Sequence, residues 1–288
     1  MTKILLDPTL DLQLSEEGYV IIPLLPSHIV QELKSYFYEH FSQPIDSMFA
    51  TAHDQRKELR NSISRHLLAT VDQYISQYTD KLNILGGSYI TKGNHKQATL
   101  PPHQDWNIVD ESLYRSFNLW IPLVNTNHQN GGIQILKRSH RFAPTFRGPN
   151  ISSAYEHVTD FIWKQMETLE IPAGHALLYD HRLLHASGIN QLNEGRLVIV
   201  MGAIERLAQM KIYYSAGSFI EEYDCTQDFF TLNNPAEGPK DLILTNRKSY
   251  SFSTFNEKDI LKFFKEHQLT YTGKSGSWLS KLAGLFSK

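Results

Sequence analysis

His103-Gln104-Asp105 and His185-Ala186-Ser187-Gly188-Ile189-Asn190, followed by Arg196-Leu197-Val198-Ile199-Val200-Met201, are the most informative segments of this 288-residue chain. Side chains on a strand repeat every two residues, so His103 and Asp105 are expected on one strand face. A second histidine about eighty residues on, His185, completes a set of two imidazoles and one carboxylate. Such a facial set leaves coordination positions open and suits non-haem Fe(II). Arg196 stands eleven residues past His185 and opens an apolar run. Its guanidinium is suited to a bidentate pair with a carboxylate.

Other segments surround these residues. Phe117-Asn118-Leu119-Trp120-Ile121-Pro122-Leu123 and Asn130-Gly131-Gly132-Ile133-Gln134-Ile135-Leu136 lie between the two histidine elements, followed by Ser139-His140. Ile171-Pro172-Ala173-Gly174 reads as a turn ahead of the strand-like His175-Ala176-Leu177-Leu178-Tyr179-Asp180. With Glu17-Gly18-Tyr19-Val20-Ile21-Ile22 near the N-terminus, these residues resemble the phytanoyl-CoA dioxygenase family of Fe(II)/2-oxoglutarate oxygenases. The resemblance runs to Arg196, and no family motif is visible beyond about Arg206. The family usually has glycine before the Ser-His pair, where Arg138 stands here, so the local turn is expected to differ.

The resemblance implies Fe(II) held by His103, Asp105 and His185. It implies 2-oxoglutarate and O2 as cosubstrates, with ascorbate as an optional reductant. It also implies decarboxylation of 2-oxoglutarate to succinate, coupled to hydroxylation of an unactivated C–H in a small organic substrate. Related halogenases have Ala or Gly in place of the carboxylate ligand. Asp105 is present, which favours hydroxylation, while desaturation and ring closure remain open. Trp120 matches a family position lining the cosubstrate pocket, and Ser187 and Arg196 match positions that bind its carboxylate. Gln104 matches the common form of the motif, yet strand alternation turns it to the opposite face. It is a cofactor-site or a sheet hydrogen-bonding candidate. Lys92 and Arg147 are candidates for an anionic group on the substrate, against a plain reading as exposed basic residues.

Three other histidines compete less well. His181 lies four residues before His185 but fifteen before Arg196. His140 reads as a turn-fixing residue. His175 reads as a structural histidine with a hydrogen-bonded ring.

Composition agrees with an enzyme of this type. An apolar content of 41% builds a sizeable core. The 28 basic and 30 acidic residues leave a net charge of −2, without like-charge blocks, which disfavours nucleic-acid binding. A single cysteine, Cys225, excludes an intrachain disulfide framework and a cysteine-rich zinc site. Residues 1–11 show no secretory signal, and no apolar run is long enough to span a membrane. A reduced, cytoplasmic setting is the expectation.

The expected fold is mainly β with flanking helices: a double-stranded β-helix, the jelly-roll core of cupin-like proteins. One domain is expected over 1–288, with a helical buttress at about 26–80, a β core at about 86–215 and a C-terminal extension at about 216–288. Tyr19 to Leu25 reads as a strand. Ile29, Leu33, Phe37 and Phe41 mark a helix starting at Pro26-Ser27, and Leu59, Ile63, Leu67, Val71 and Ile75 mark a second. Asn256-Glu257-Lys258-Asp259 starts a late helix with apolar Ile260, Phe263 and Phe264. Trp278, Leu279, Leu282, Leu285 and Phe286 form a short apolar stripe. It is expected to pack on the domain or to dock a partner subunit, which would make a homodimer.

Two other readings use the same residue types. A cupin-like metal-dependent isomerase would have the barrel and the ligands but no need for Arg196. A non-catalytic ligand-binding barrel would have no need for an intact triad. Substrate identity, whether acyl thioester, amino acid or terpenoid, is not written in any motif.

Overall fold

The computed structural model describes residues 3–41, 47–94 and 98–270. Asp7 accepts hydrogen bonds from the N–H groups of Thr9 and Leu10, and Pro8 follows it, so helix α1 (Pro8–Glu17) starts there. Gly18, with φ of +85°, ends it in the left-handed conformation that glycine adopts freely. That conformation lets the chain turn straight into strand β1 (Tyr19–Pro23). Helix α2 (Ser27–His40) buries Ile29, Leu33 and Phe37. After the short strand β2 (Met48–Ala50), helix α3 (Lys57–Ile75) buries Ile63, Leu67, Val71 and Ile75. Both expected helices are therefore present, with their apolar stripes inward. The sequence reading offered no helix ahead of Tyr19, although Asp7-Pro8 and Gly18 were its start and stop signals.

The strands continue with β3 (Leu82–Lys92), β4 (Leu100–His103), β5 (Ser116–Pro122) and β6 (Ile133–Ile135). A short helix α4 (Thr159–Trp163) precedes β7 (Glu167–Thr168), β8 (His175–Asp180), β9 (His185–Ser187) and β10 (Arg196–Glu205). Six strands form an antiparallel major sheet in the order β1-β8-β5-β10-β3-β2. Four form a minor sheet in the order β4-β9-β6-β7. This is the expected mainly-β, jelly-roll core.

Two-residue alternation separates the faces of the major sheet. Phe117, Leu119 and Ile121 of β5, Ala176 and Leu178 of β8, and Leu197, Ile199, Met201 and Ala203 of β10 pack in one cluster with α2 and α3. Trp120, Leu177, Tyr179 and Val198 point the other way and meet Ile133 and Ile135 of the minor sheet. Both faces are covered, which is why these strands read as nearly continuous apolar runs.

The C-terminal part differs from the expected extension. Strands β11 (Lys211–Ala216) and β12 (Phe219–Asp224) form a hairpin, so a boundary at 215/216 cuts through it. After helix α5 (Gln227–Leu232), strand β13 (Leu244–Ser249) pairs with β12 and completes a three-stranded sheet. Every residue of β13 is exposed, so it had no alternating pattern to betray it. Helix α6 (Glu257–Glu266) begins with Asn256 and Asp259 in a reciprocal capping box, as the sequence suggested. Its Ile260 and Phe264 pack against Phe142, Tyr155 and Leu184. The apolar stripe of Ser277 to Lys288 lies outside the described residues. No described helix is long and apolar enough to cross a membrane.

Arg138 does alter its turn's chemistry. Its φ of +63° is left-handed, where a side chain costs about 1 kcal/mol. The arginine offsets this by bonding the N-terminal helix. Its N–H donates to Glu17 O at 3.0 Å, and its guanidinium pairs with the Glu17 carboxylate at 2.8 Å.

Candidate metal centre

Strand β4 ends on His103, which lies directly opposite His185 at the start of β9. Asp105 follows two residues later, beyond the strand's end, and its N–H donates to His181 O at 3.0 Å. The triad therefore does not depend on strand alternation alone. One ligand atom from each of His103, Asp105 and His185 lies within 4.8 Å of the others, the one such group among the described residues. His185 Nε2 is 3.7 Å from Asp105 Oδ2. Metal–ligand bonds of roughly 2.1 Å put neighbouring ligand atoms about 3 Å apart, so this separation suits a single ion.

Backbone carbonyls orient both rings. His103 Nδ1 lies 2.8 Å from Pro101 O, and His185 Nδ1 lies 3.0 Å from Leu183 O. A carbonyl only accepts, so each Nδ1 carries a proton, which leaves Nε2 as the ring atom that could reach a metal. Burial, reinforced by His185, pulls the His103 pKa down to about 4, so its imidazole is neutral near pH 7. Burial pushes the Asp105 carboxyl up, but His185, His181, His103 and an Asn118 hydrogen bond outweigh it, and the net shift is downward. A neutral imidazole at His103 and a carboxylate at Asp105 are protonation states that metal binding needs.

Two supporting residues escaped the sequence reading. Asn118 Nδ2 donates to Asp105 Oδ2 at 2.9 Å and lies 3.2 Å from the Tyr179 hydroxyl. That hydroxyl is 3.4 Å from His185 Nε2. Both sit on the inner face, and Asn118 is the lone polar residue in the apolar run Phe117–Pro122. That interruption was the available signal.

A second polar group lies at the start of β10. Arg196 and Lys92 are register partners on neighbouring strands, and both are buried. Ser187 stands between them. Its Oγ accepts from Lys92 Nζ at 2.5 Å and Arg196 Nη1 at 3.1 Å, and donates to Gly131 O at 2.9 Å. Gly131 has φ of +67°, and a Cβ there would come within 2.7 Å of Gly188 O, so the close approach needs glycine. The Arg196 guanidinium lies 5.4 Å from the centroid of Trp120, within cation–π range. Its Nε is buried without a partner, and it makes no ion pair with any described carboxylate. Burial lowers the Arg196 pKa to about 10, and burial plus Arg196 lowers that of Lys92 to about 7. A buried guanidinium with an orphaned N–H, beside a buried amine, is costly unless an anion joins them.

The structure moves three expected residues elsewhere. Lys92 is buried, not exposed, and it lies with Arg196 because the β3–β10 register puts them opposite each other. Arg147 is buried and committed, donating through Nε to Asp105 O at 2.6 Å and pairing bidentately with Glu111. It braces the metal-site backbone and has no arm free for a substrate anion. Gln104 faces away from the triad into a separate cavity of about 560 Å³ and donates to Arg182 O. His140 behaves as a turn residue, with Nε2 3.1 Å from Ser15 O. His181 is buried near Asp105 but outside the triad.

The sequence matches none of the curated proteins. Solved structures share the fold. A non-heme alpha-ketoglutarate-dependent carbocyclase, SnoK from nogalamycin biosynthesis, aligns at 17% identity and a TM-score of 0.53, covering 71% of this chain and 86% of its own. The epimerase SnoN, solved with Fe3+, alpha-ketoglutarate and nogalamycin RO, aligns at 17% identity and 0.53, covering 87% and 98%. HygX from Streptomyces hygroscopicus with iron bound aligns at 14% and 0.50, covering 70% and 88%. The family model described as phytanoyl-CoA dioxygenase matches residues 15–197, more than half of the sequence, and the chain belongs to that family.

Proposed function

We propose that this protein is a non-haem Fe(II)/2-oxoglutarate-dependent oxygenase that hydroxylates an unactivated C–H of a small organic substrate. The observation that carries this reading is the presence of two unlike sites, one on each sheet, joined through Ser187 of β9, which follows His185 by two residues. One is a triad of two imidazoles and a carboxylate. The other is the buried Arg196 guanidinium beside the Lys92 amine, with no described carboxylate in an ion pair with either. A metal-dependent isomerase would account for the first and not the second.

His103, Asp105 and His185 would hold Fe(II). Arg196, Lys92 and Ser187 would hold the far carboxylate of 2-oxoglutarate, with Trp120 against the guanidinium. When bound, the iron and its cosubstrate supply the oxidising power that cleaves the substrate C–H, at the cost of O2 and of 2-oxoglutarate, which leaves as succinate and CO2. The chain's own residues orient and shield. Asn118 donates to Asp105 Oδ2, the carboxylate oxygen nearest His185, and so fixes the carboxylate's orientation beside the imidazole. The Pro101 and Leu183 carbonyls fix the imidazoles. Trp120, Val198 and Leu177 line the inner wall and exclude water from the reacting centre.

Two of the similar structures are a carbocyclase and an epimerase, so the fold does not fix the fate of the activated carbon. Hydroxylation is the simplest outcome that Asp105 supports. A reduced, cytoplasmic setting suits Fe(II). It also suits Cys225, whose thiol is buried and pushed up to about 12, beyond ready oxidation.

Anaerobic titration with Fe(II) and then 2-oxoglutarate tests the assignment. A weak visible charge-transfer band is expected, and neither His103→Ala nor His185→Ala should form it. A band that survives both substitutions removes the triad from the reading. Succinate release coupled to a product heavier by one oxygen identifies hydroxylation; an isomeric or dehydrogenated product assigns epimerisation or ring closure instead.

A further inference from the structure

Trp106 follows Asp105 directly and turns its ring outward, with 38% of the residue exposed. It lines a cavity of about 570 Å³, a size that accommodates a small organic ligand. A smaller cavity of about 150 Å³ is lined by three of the same residues, Ala52, Arg60 and Phe230, and also by Ser88 and Val200. Ser88 and Val200 are register partners on β3 and β10, and Val200 packs on the inner cluster. The shared residues thus join the surface beside Asp105 to the barrel wall that carries Trp120 and Arg196.

The walls of the larger cavity are unevenly charged. Lys57, Arg60 and Lys240 face a single carboxylate, Glu237. Lys240 is paired with Glu237. Lys57 and Arg60 form no ion pair within 4 Å of a described carboxylate, although Glu237 lies near enough to feel Lys57 and Asp54 near enough to feel Arg60. Arg60 donates one N–H to Ala52 O at 3.3 Å, while its Nε is shielded from water without a partner. Trp106, Phe230 and Leu232 supply apolar surface beside these cations. A guanidinium with a shielded N–H that has no hydrogen-bond partner, in the same cavity wall as aromatic rings, favours an anion attached to a flat or apolar body.

We propose that this cavity is the substrate entrance, and that the substrate carries an anionic group, a carboxylate or a phosphate or sulfate ester, on an apolar or aromatic body. The anion is held by Arg60 and Lys57, and the body lies on Trp106 and Phe230. The proposal rests on the oxygenase reading, which explains why a substrate should approach beside Asp105. It also assigns substrate-anion recognition to residues other than Lys92 and Arg147, which the fold commits elsewhere.

Calorimetry on the anaerobic Fe(II)·2-oxoglutarate complex tests it with three matched probes: 1-naphthyl phosphate, 1-naphthoate and uncharged 1-naphthol. Both anions should bind about tenfold more tightly than 1-naphthol, as expected for partly exposed ionic contacts. The tighter of the two anions tells a phosphate-type substrate from a carboxylate. Saturation with either should alter the visible charge-transfer band, because the ligand reaches the metal's surroundings. Arg60→Gln and Lys57→Glu should each weaken the anions severalfold, leave 1-naphthol unchanged and leave the affinity for 2-oxoglutarate intact. Trp106→Ala should weaken all three probes. Lys57 is exposed, so its variant folds even if the Arg60 variant does not. Equal binding of the three probes overturns the proposal, as does anion binding that ignores both charge substitutions. If the band never forms in the unaltered protein, the oxygenase reading fails; the same calorimetry without metal still reports on the cavity by itself.

Discussion

Strand β10 has two unlike faces three residues apart. Ile199 points outward, wholly buried among the side chains of α2, α3 and the major sheet. Arg196 points inward, just as buried, beside Lys92 and Ser187 with an orphaned N–H. Burial on the outer face removes apolar area from water and stabilises the fold. Burial on the inner face takes charge out of water and costs stability until a ligand anion arrives. One strand thus gives its outward residues to the core and, at Arg196, buries a charge on its inward side.

The largest effect should come from the outer face. Ile199→Ala is expected to cost about 2–5 kcal/mol, because it deletes buried methyl groups and leaves a cavity. The melting temperature should fall by several degrees or more, while the folded fraction still binds 2-oxoglutarate as tightly as before. A fall in affinity larger than the loss of folded protein would show that the two faces are not separable.

Arg196→Ala should give the opposite pattern. The loss of a charge-assisted pair with the cosubstrate is expected to weaken 2-oxoglutarate binding about tenfold to a hundredfold. Stability should hold or rise, since the substitution removes a buried charge that no described carboxylate balances. Lysine at this position should restore only part of the affinity, having lost the forked geometry. Unchanged binding in Arg196→Ala would remove the cosubstrate from this pocket and favour the isomerase.

The smallest effect concerns pH. Burial and Arg196 bring the Lys92 pKa down to about 7 in the ligand-free protein. A carboxylate beside the amine raises it again. Below about pH 7 Lys92 is charged with and without ligand, so affinity should not depend on its proton. Above that, binding must take up a proton, and affinity should fall by at most about tenfold per pH unit. Calorimetry in two buffers of different ionisation enthalpy would count the proton. Lys92→Met should abolish the uptake, and a flat profile in the unaltered protein would place the carboxylate away from Lys92.

Part of this arrangement was readable without coordinates, and particular residues show why. The stripes of α2 and α3 follow a helical period, and the capping box Asn256–Asp259 is a local signal, so each could be read from neighbours along the chain. The members of the candidate triad could be picked out by residue type, His103 and Asp105 by their short spacing and His185 by its offset from Arg196, and strand pairing then brings the two histidines together. Strand β13 was not, since it is exposed throughout and held by hydrogen bonds to β12. The roles of Arg147 and Lys92 were not legible either. A basic residue looks the same in a sequence whether it is solvated, paired with Glu111 or sealed beside Arg196.

The sequence by itself determined the types of group available: two histidines and an aspartate at motif spacing, an arginine at the head of an apolar strand, and helix and turn signals that set the local elements. Tertiary structure alone decided which groups meet. Strand register put Lys92 opposite Arg196, the pairing of β4 with β9 put His103 opposite His185, and the fold carried Asn118 and Tyr179 to Asp105 and His185. The physical reason is that propensity and periodicity act within a few residues. The charge balance of a buried site depends instead on residues tens of positions apart, brought together only when the sheets close around them.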